Sequence, residues 1–162
     1  MRSYNCAVRL ALAVLVLSTF ARPVAAGEQV PLQGSYQGVV SRGELVFPFV
    51  PVLVEGGGTA TLLGKFTVSH PHVVNVSTSS AVGTYVFTAA NGDTLTGDVA
   101  GQATSIGGGI LSIAETVTIT GGTGRFTGAT GSFTATRLYD TVANTTSASF
   151  SGTISIVRGS GN

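Results

Sequence analysis

From residue 27 onward the chain alternates apolar and polar residues with a period of two, and glycine clusters and polar turns interrupt the alternation at intervals. No stretch there carries apolar residues at the three- and four-residue spacing of an amphipathic helix, so the pattern predicts an all-β domain. Strands are predicted at 33–42, 44–54, 59–70, 82–90, 93–105, 110–120, 131–140 and 147–157. The sharpest turn signal is Asn91-Gly92, which tolerates the positive φ angles of a type I′ turn and predicts direct pairing of the fourth and fifth strands. The EGGG run at 55–58 reads as a hairpin loop.

Eight antiparallel strands of this length either split into a sandwich or close into a barrel; closure removes both sheet edges and is the preferred reading. An eight-stranded barrel has an interior filled by side chains or by one small ligand. A membrane-spanning barrel needs an unbroken apolar outer band and aromatic girdles. Four tyrosines, no tryptophan and a polar terminal stretch, Arg158-Gly-Ser-Gly-Asn162, argue against that alternative.

The first 26 residues do not fit the strand pattern. Arg2 and Arg9 precede a short apolar run at 10–17, and Val24 and Ala26 occupy the small positions of a cleavage site. This reads as a secretory signal peptide, because the run is shorter than the roughly 20 residues that cross a bilayer. Residues 27–162 then form a single barrel domain, secreted or periplasmic, with no membrane insertion after cleavage. Cys6 lies before the apolar run, so the mature domain has no disulfide and depends on its core.

Cleavage removes three of the eight basic residues and none of the seven acids, leaving a net charge of −2. That balance excludes a basic nucleic-acid-binding surface. With so few charges, each ionisable residue carries weight. In ILSIAETVTIT, Leu111, Ile113, Val117 and Ile119 form one apolar face, and Glu115 sits in its middle. A lone carboxylate there is costly and calls for a partner or a proton.

Beyond the next turn, Phe133, Ala135, Arg137 and Tyr139 share one face of SFTATRLYD. A hairpin symmetric about residue 126 opposes Glu115 to Arg137, and a register shift of two keeps both on one face, in reach of a charge-assisted pair. Two readings stand: a structural staple between strands, or a ligand- and proton-handling site of Glu115, Arg137 and Tyr139, with Glu115 the best catalytic candidate.

His70 and His72 flank Pro71 and share a face of an extended chain, but no third ligand accompanies them; a turn with exposed imidazoles is preferred over a metal site. No cofactor motif is present, and neither is a Gly-x-Ser-x-Gly elbow, an HExxH motif or a mature-chain cysteine nucleophile.

The stretch TITGGTGRFTGATGSF at 118–133 has phosphate-loop-like glycines, but no lysine and serine or threonine pair follows and no helix is predicted to start there. It reads as a compound corner in which glycines 121, 122, 124, 128 and 131 supply positive φ angles and close backbone approach. Phe126 is tucked in as a plug, and Arg125 is solvated or caps carbonyls.

This corner, VTITGGTGRFTGATGSFTA, resembles the Gly-Gly-Thr/Ser-Gly-x-Phe-x-Gly-Ala-x-Gly corner of the allene oxide cyclase and dirigent proteins, and TAANGDTLTGDVAG is similar to the preceding hairpin of exported bacterial members. The likeness covers about 82–136 in motif and about 34–157 in strand count. It implies a calycin-like eight-stranded barrel that takes a small hydrophobic molecule at its lumen or mouth, as a homotrimer or homodimer. It further implies cofactor-independent steering of that molecule's cyclisation or isomerisation by orientation. The early region SRGELVFPFVPVLVEGG offers Glu44 and Glu55 but no nearby asparagine, so no catalytic residue is carried over. The alternative is a non-enzymatic secreted binding or structural barrel, its lumen packed shut by residues such as Phe66, Phe87 and Phe133.

Overall fold

The computed structural model describes residues 28–156; the predicted signal peptide at 1–26 and the polar stretch at 158–162 lie outside the described residues. Eight antiparallel strands follow one another in chain order: β1 (Gln29–Arg42), β2 (Phe49–Ala60), β3 (Gly64–Asn75), β4 (Ser80–Ala89), β5 (Thr94–Gly107), β6 (Ile110–Gly122), β7 (Thr130–Asp140) and β8 (Thr145–Ser155). Each pairs with the next, and β8 pairs back onto β1, so the sheet closes into a barrel. The period-two alternation becomes the inside and outside of the wall: Ile113, Glu115, Val117 and Ile119 are buried, while Ala114, Thr116, Thr118 and Thr120 face water.

Two expectations for the early chain are corrected. The second strand runs from Phe49 to Ala60, and the predicted EGGG loop lies inside it. Gly56 and Gly58 point inward where β1 crosses closely: a Cβ on Gly56 would lie 2.1 Å from the Gln37 carbonyl oxygen, and one on Gly58 1.9 Å from that of Ser35. These glycines let two strands curl tightly together; they do not make a turn. The true connection is upstream, where Val46 and Phe49 exchange backbone hydrogen bonds of 2.9 and 2.7 Å.

The second correction concerns SHPHVV, which is not a turn. It continues β3, and Phe66, Val68, His70 and His72 all point inward; His70 is 1% exposed and His72 6%.

The Asn91-Gly92 hairpin joins β4 to β5 as expected, with Thr88 opposite Thr94. Its geometry is not type I′, because Gly92 takes a φ of +86° and Asn91 does not adopt a positive one. The glycine corner brings a single 3-10 turn, Gly124–Phe126, and Phe126 is completely buried as the plug. Gly121, Gly124, Gly128 and Gly131 take positive φ angles; Gly122 instead serves close approach, its would-be Cβ 2.0 Å from the Thr94 carbonyl oxygen. Arg125 is partly exposed, with Nε 3.8 Å from Asp93 Oδ2.

The lumen is filled unevenly. At the end that holds the Phe126 plug, the start of β1 and the end of β8, Leu32, Leu63, Leu95 and Ile154 form an apolar floor. Above it Phe66, Phe87, Phe133 and Phe150 pack edge-to-face and tilted, with centroids 5.2 to 6.2 Å apart. This half of the barrel is closed, as the packed-lumen alternative expected. The other half is open.

Candidate functional site

The open half holds a cavity of about 400 Å³. Its walls are Val40, Val50, Val52, Val74, Ala81, Ala103, Leu111 and Ile113, and its polar lining includes His72, Arg137, Tyr139 and Arg42. The turns and strand ends at this end carry exposed apolar residues, among them Val46, Phe47, Val76, Ile106 and Val142. Two depressions on the outer wall, of about 710 and 700 Å³, are more open and mostly lined by serine, threonine, glycine and scattered apolar residues. They gather no cluster of ionisable groups, so the site is the mouth cavity.

Between the cavity and the phenylalanine layer lies a buried polar cluster. Strands β6 and β7 pair with Ile113 opposite Arg137 and Glu115 opposite Ala135, the expected hairpin shifted by two residues. The shift leaves Glu115 and Arg137 diagonal on one face. Arg137 donates from Nε (3.0 Å) and Nη2 (2.8 Å) to Glu115 Oε1. Glu115 Oε2 accepts from the Tyr85 hydroxyl at 2.6 Å, and Tyr36, 2.9 Å away, completes the chain by donating to Tyr85. A Cβ on Gly101, directly across from Glu115, would lie 3.0 Å from its Cγ; the glycine makes room for the carboxylate.

The histidines belong to the same cluster. His70 Nδ1 is 3.0 Å from the Thr84 carbonyl oxygen and His72 Nδ1 is 3.0 Å from that of His70. A carbonyl only accepts, so both rings carry a proton on Nδ1. His70 Nε2 approaches Glu115 Oε1 at 3.7 Å, an ion pair whenever the imidazole is protonated. The rings stack in a column, Tyr85 on His70 at 4.0 Å and His70 on His72 at 4.1 Å. Gly83, opposite His72, clears the space beside it: a Cβ there would lie 2.4 Å from His72 Cβ.

Burial and charge set the protonation states. Burial pushes the Glu115 carboxyl up, but the approach of His70, the Arg137 guanidinium and the Tyr85 hydroxyl outweigh it and bring the pKa down to about 2. Burial and the neighbouring His70 lower His72 to about 4, with Arg137 adding to the shift. Burial, then the Glu115 charge, raises Tyr36 to about 12; burial and the charges of Tyr36 and Glu115 push Tyr85 well above the usual tyrosine range. Burial works against the Arg137 charge, yet Glu115 raises its pKa overall. At neutral pH the cluster therefore holds a carboxylate, a guanidinium, a neutral His72 and two phenols.

Of the three residues picked from the sequence, Glu115 and Arg137 meet as expected. Tyr139 lies on the same face but higher: its hydroxyl accepts from Arg42 Nη2 and donates to Asn144 Oδ1 at 3.0 Å, near the rim. Arg137 and Tyr139 line the cavity, whereas Glu115 lies behind the guanidinium. Sequence reading missed Tyr36, His70, His72 and Tyr85. The signal existed for the histidines, which continue the inward parity of Phe66 and Val68. Among the described residues, no group of three or more His, Cys, Asp or Glu is arranged to hold a metal ion.

No family model matches the chain, and no curated protein matches it in sequence. In three dimensions it is similar to a solved pterocarpan synthase dirigent protein, with a TM-score of 0.61 over 87% of this chain and 92% of that one, at 14% sequence identity. The fold is thus a closed eight-stranded antiparallel barrel similar to that of this dirigent protein. At that identity the likeness speaks for the architecture alone.

Proposed function

We propose that this protein is an exported dirigent-like barrel that holds a small, largely apolar molecule in its mouth cavity and steers its cyclisation or isomerisation without a cofactor. The observation that carries this reading is the half-open lumen: an apolar cup of about 400 Å³ whose lining includes the buried Arg137 and His72. A domain that needed only a packed core would gain stability by filling that space, as it does below with four phenylalanines. Apolar walls with a few convergent polar groups suit a ligand whose apolar body is desolvated and whose polar atom is fixed. The dirigent-like fold supports the same reading by analogy.

The test fills the cup. Ala103 lines the cavity and is half-buried, so Ala103→Phe places a ring in it. Native mass spectrometry of protein purified from the exported fraction, with a titration of the apolar fluorophore 1-aminoanthracene, should show a bound small molecule and saturable binding in the wild type. Ala103→Phe should lose both. Equal binding by the two proteins would place the ligand elsewhere and refute the reading. The same spectra report whether the protein assembles as the homotrimer or homodimer that this reading includes.

A further inference from the structure

The cavity meets the polar cluster through two atoms. Arg137 spends Nε and Nη2 on Glu115, and Nη1 has no partner among the described residues. Arg137 lines the cavity, and Nη1 is the guanidinium nitrogen that its bonds to Glu115 leave available there. The same reasoning applies to His72. Its Nδ1 proton is committed to the His70 carbonyl, so Nε2 carries a lone pair and is the atom left open to the cup.

A fixed cationic donor and a Brønsted base thus share one apolar cup. Glu115 holds the guanidinium at two nitrogens, and Tyr85 and Tyr36 hold Glu115, so the donor is preorganised. The His72 ring is held by its bond to the His70 carbonyl and by stacking on His70. This arrangement suits a carbonyl compound with an acidic C–H beside the carbonyl.

We propose that the mouth cavity is a proton-transfer site for apolar, enolisable ketones, with His72 Nε2 as the base and Arg137 Nη1 as the donor that receives the oxyanion. The inference rests on the reading of the cavity as a ligand site and names the substrate class for it. In the forward step the α-carbon C–H bond breaks and an N–H bond forms at His72 Nε2. The C–H electron pair becomes the enolate, and its negative charge collects on the oxygen bonded to Arg137. Return of the proton to the same carbon gives exchange; return to the far end of a conjugated double bond gives an isomer. Either way atoms and electrons balance without an oxidant, reductant or cofactor.

Neutral imidazole is the base form, and burial with His70 and Arg137 nearby keeps His72 in that form above about pH 4. Carboxylate bases of comparable strength, with pKa roughly 4.6, enolise ketones when the oxyanion is held by preorganised donors. The charged and titratable groups around His72 are His70, Arg137 and Glu115, with Arg42 and Tyr139 on the same cavity wall; of these the Glu115 carboxylate favours the transient imidazolium and Arg137 opposes it. Glu115 does not face the cup; it is a positioning residue that acts through Arg137.

The probe is 2-tetralone, a compact apolar ketone, in deuterated buffer. Proton NMR follows deuterium entering its α carbons, and saturation-transfer NMR reports binding separately. Wild type should bind the probe and accelerate wash-in above buffer. His72→Asn, whose side-chain amide can still reach the His70 carbonyl but lacks the basic nitrogen, should keep binding and lose about 100-fold or more of the acceleration. Wild-type wash-in should also fall as pH drops through about 4.

Binding without wash-in above buffer would overturn this inference and leave the ligand reading standing. No binding of 2-tetralone or of 1-aminoanthracene would overturn both. Undiminished wash-in with His72→Asn would remove His72 from the role. If that variant does not fold, the wild-type rate and its pH profile decide the matter.

Discussion

Replacing Glu115 with glutamine exchanges the buried carboxylate for its uncharged isostere and leaves the Arg137 guanidinium, 2% exposed, without an anion. Glutamine resembles the protonated carboxyl, so the cost follows from how far the fold favours ionisation. The carboxyl moves from 4.5 to about 2; at 1.36 kcal/mol per pH unit this is about 3 kcal/mol. Removing one member of a buried pair costs about 3–5 kcal/mol in other proteins, which agrees. For a domain of roughly 130 residues, 3 kcal/mol corresponds to a drop of about 10 °C in Tm.

Urea unfolding followed by far-UV circular dichroism, for wild type and Glu115→Gln, measures the difference directly. The folded carboxyl has the depressed pKa, so its contribution is complete above 4.5 and disappears as pH falls from 4.5 toward 2. The gap between the two proteins should therefore be about 3 kcal/mol at pH 7 and close toward pH 2. A gap below about 1 kcal/mol at pH 7 would class the pair with ordinary surface ion pairs and refute the argument. So would a gap that survives undiminished at the acid end.

Exchanging both Glu115 and Arg137 for methionine should cost less than the glutamine variant, because no unpaired charge stays buried; a double loss equal to the summed single losses would contradict this. His72 also shapes the acid limb: its pKa falls from 6.5 unfolded to about 4 folded, so its contribution is complete above 6.5 and is lost as pH drops from 6.5 to 4. His72→Asn should remove about 3 kcal/mol of pH dependence between pH 7.5 and 4 in the same urea assay, and an unchanged slope would show that the ring protonates freely in the fold. Gly83→Ala places a Cβ 2.4 Å from both His72 Cβ and the Pro71 carbonyl oxygen. It should cost about 1–3 kcal/mol and weaken 1-aminoanthracene binding, whereas a change under 0.5 kcal/mol would mean that the strands separate freely there.

Much of the site was legible locally. The parity of Glu115 with Ile113 and Val117, and of Arg137 with Phe133 and Ala135, identified a buried acid and base on one hairpin, and a slip of two residues could not part them. His70 and His72 were misread because Pro71 between them resembles a turn signal. In the barrel Pro71 faces outward and its missing N–H costs little, since the β3–β4 ladder is interrupted between Ser69 and His72. The glycines at 56–58 misled for the opposite reason: they look like a loop, yet their inward positions are crowded by the backbone of β1.

The sequence by itself determined the strand count, the inward and outward faces of β6 and β7 and the glycine corner with its Phe126 plug, because alternation and turn chemistry act over a few residues. Only the tertiary structure decided which inward residues share a height in the lumen. That depends on the stagger of eight strands around a closed sheet, a property of no single strand. Stagger gathers four phenylalanines from β3, β4, β7 and β8 into one layer, sets Tyr36, Tyr85, His70, Glu115 and Arg137 together as a cluster, and leaves the valine-lined end unfilled. The cavity, the two atoms that reach it and the partners that fix them exist only once the barrel closes.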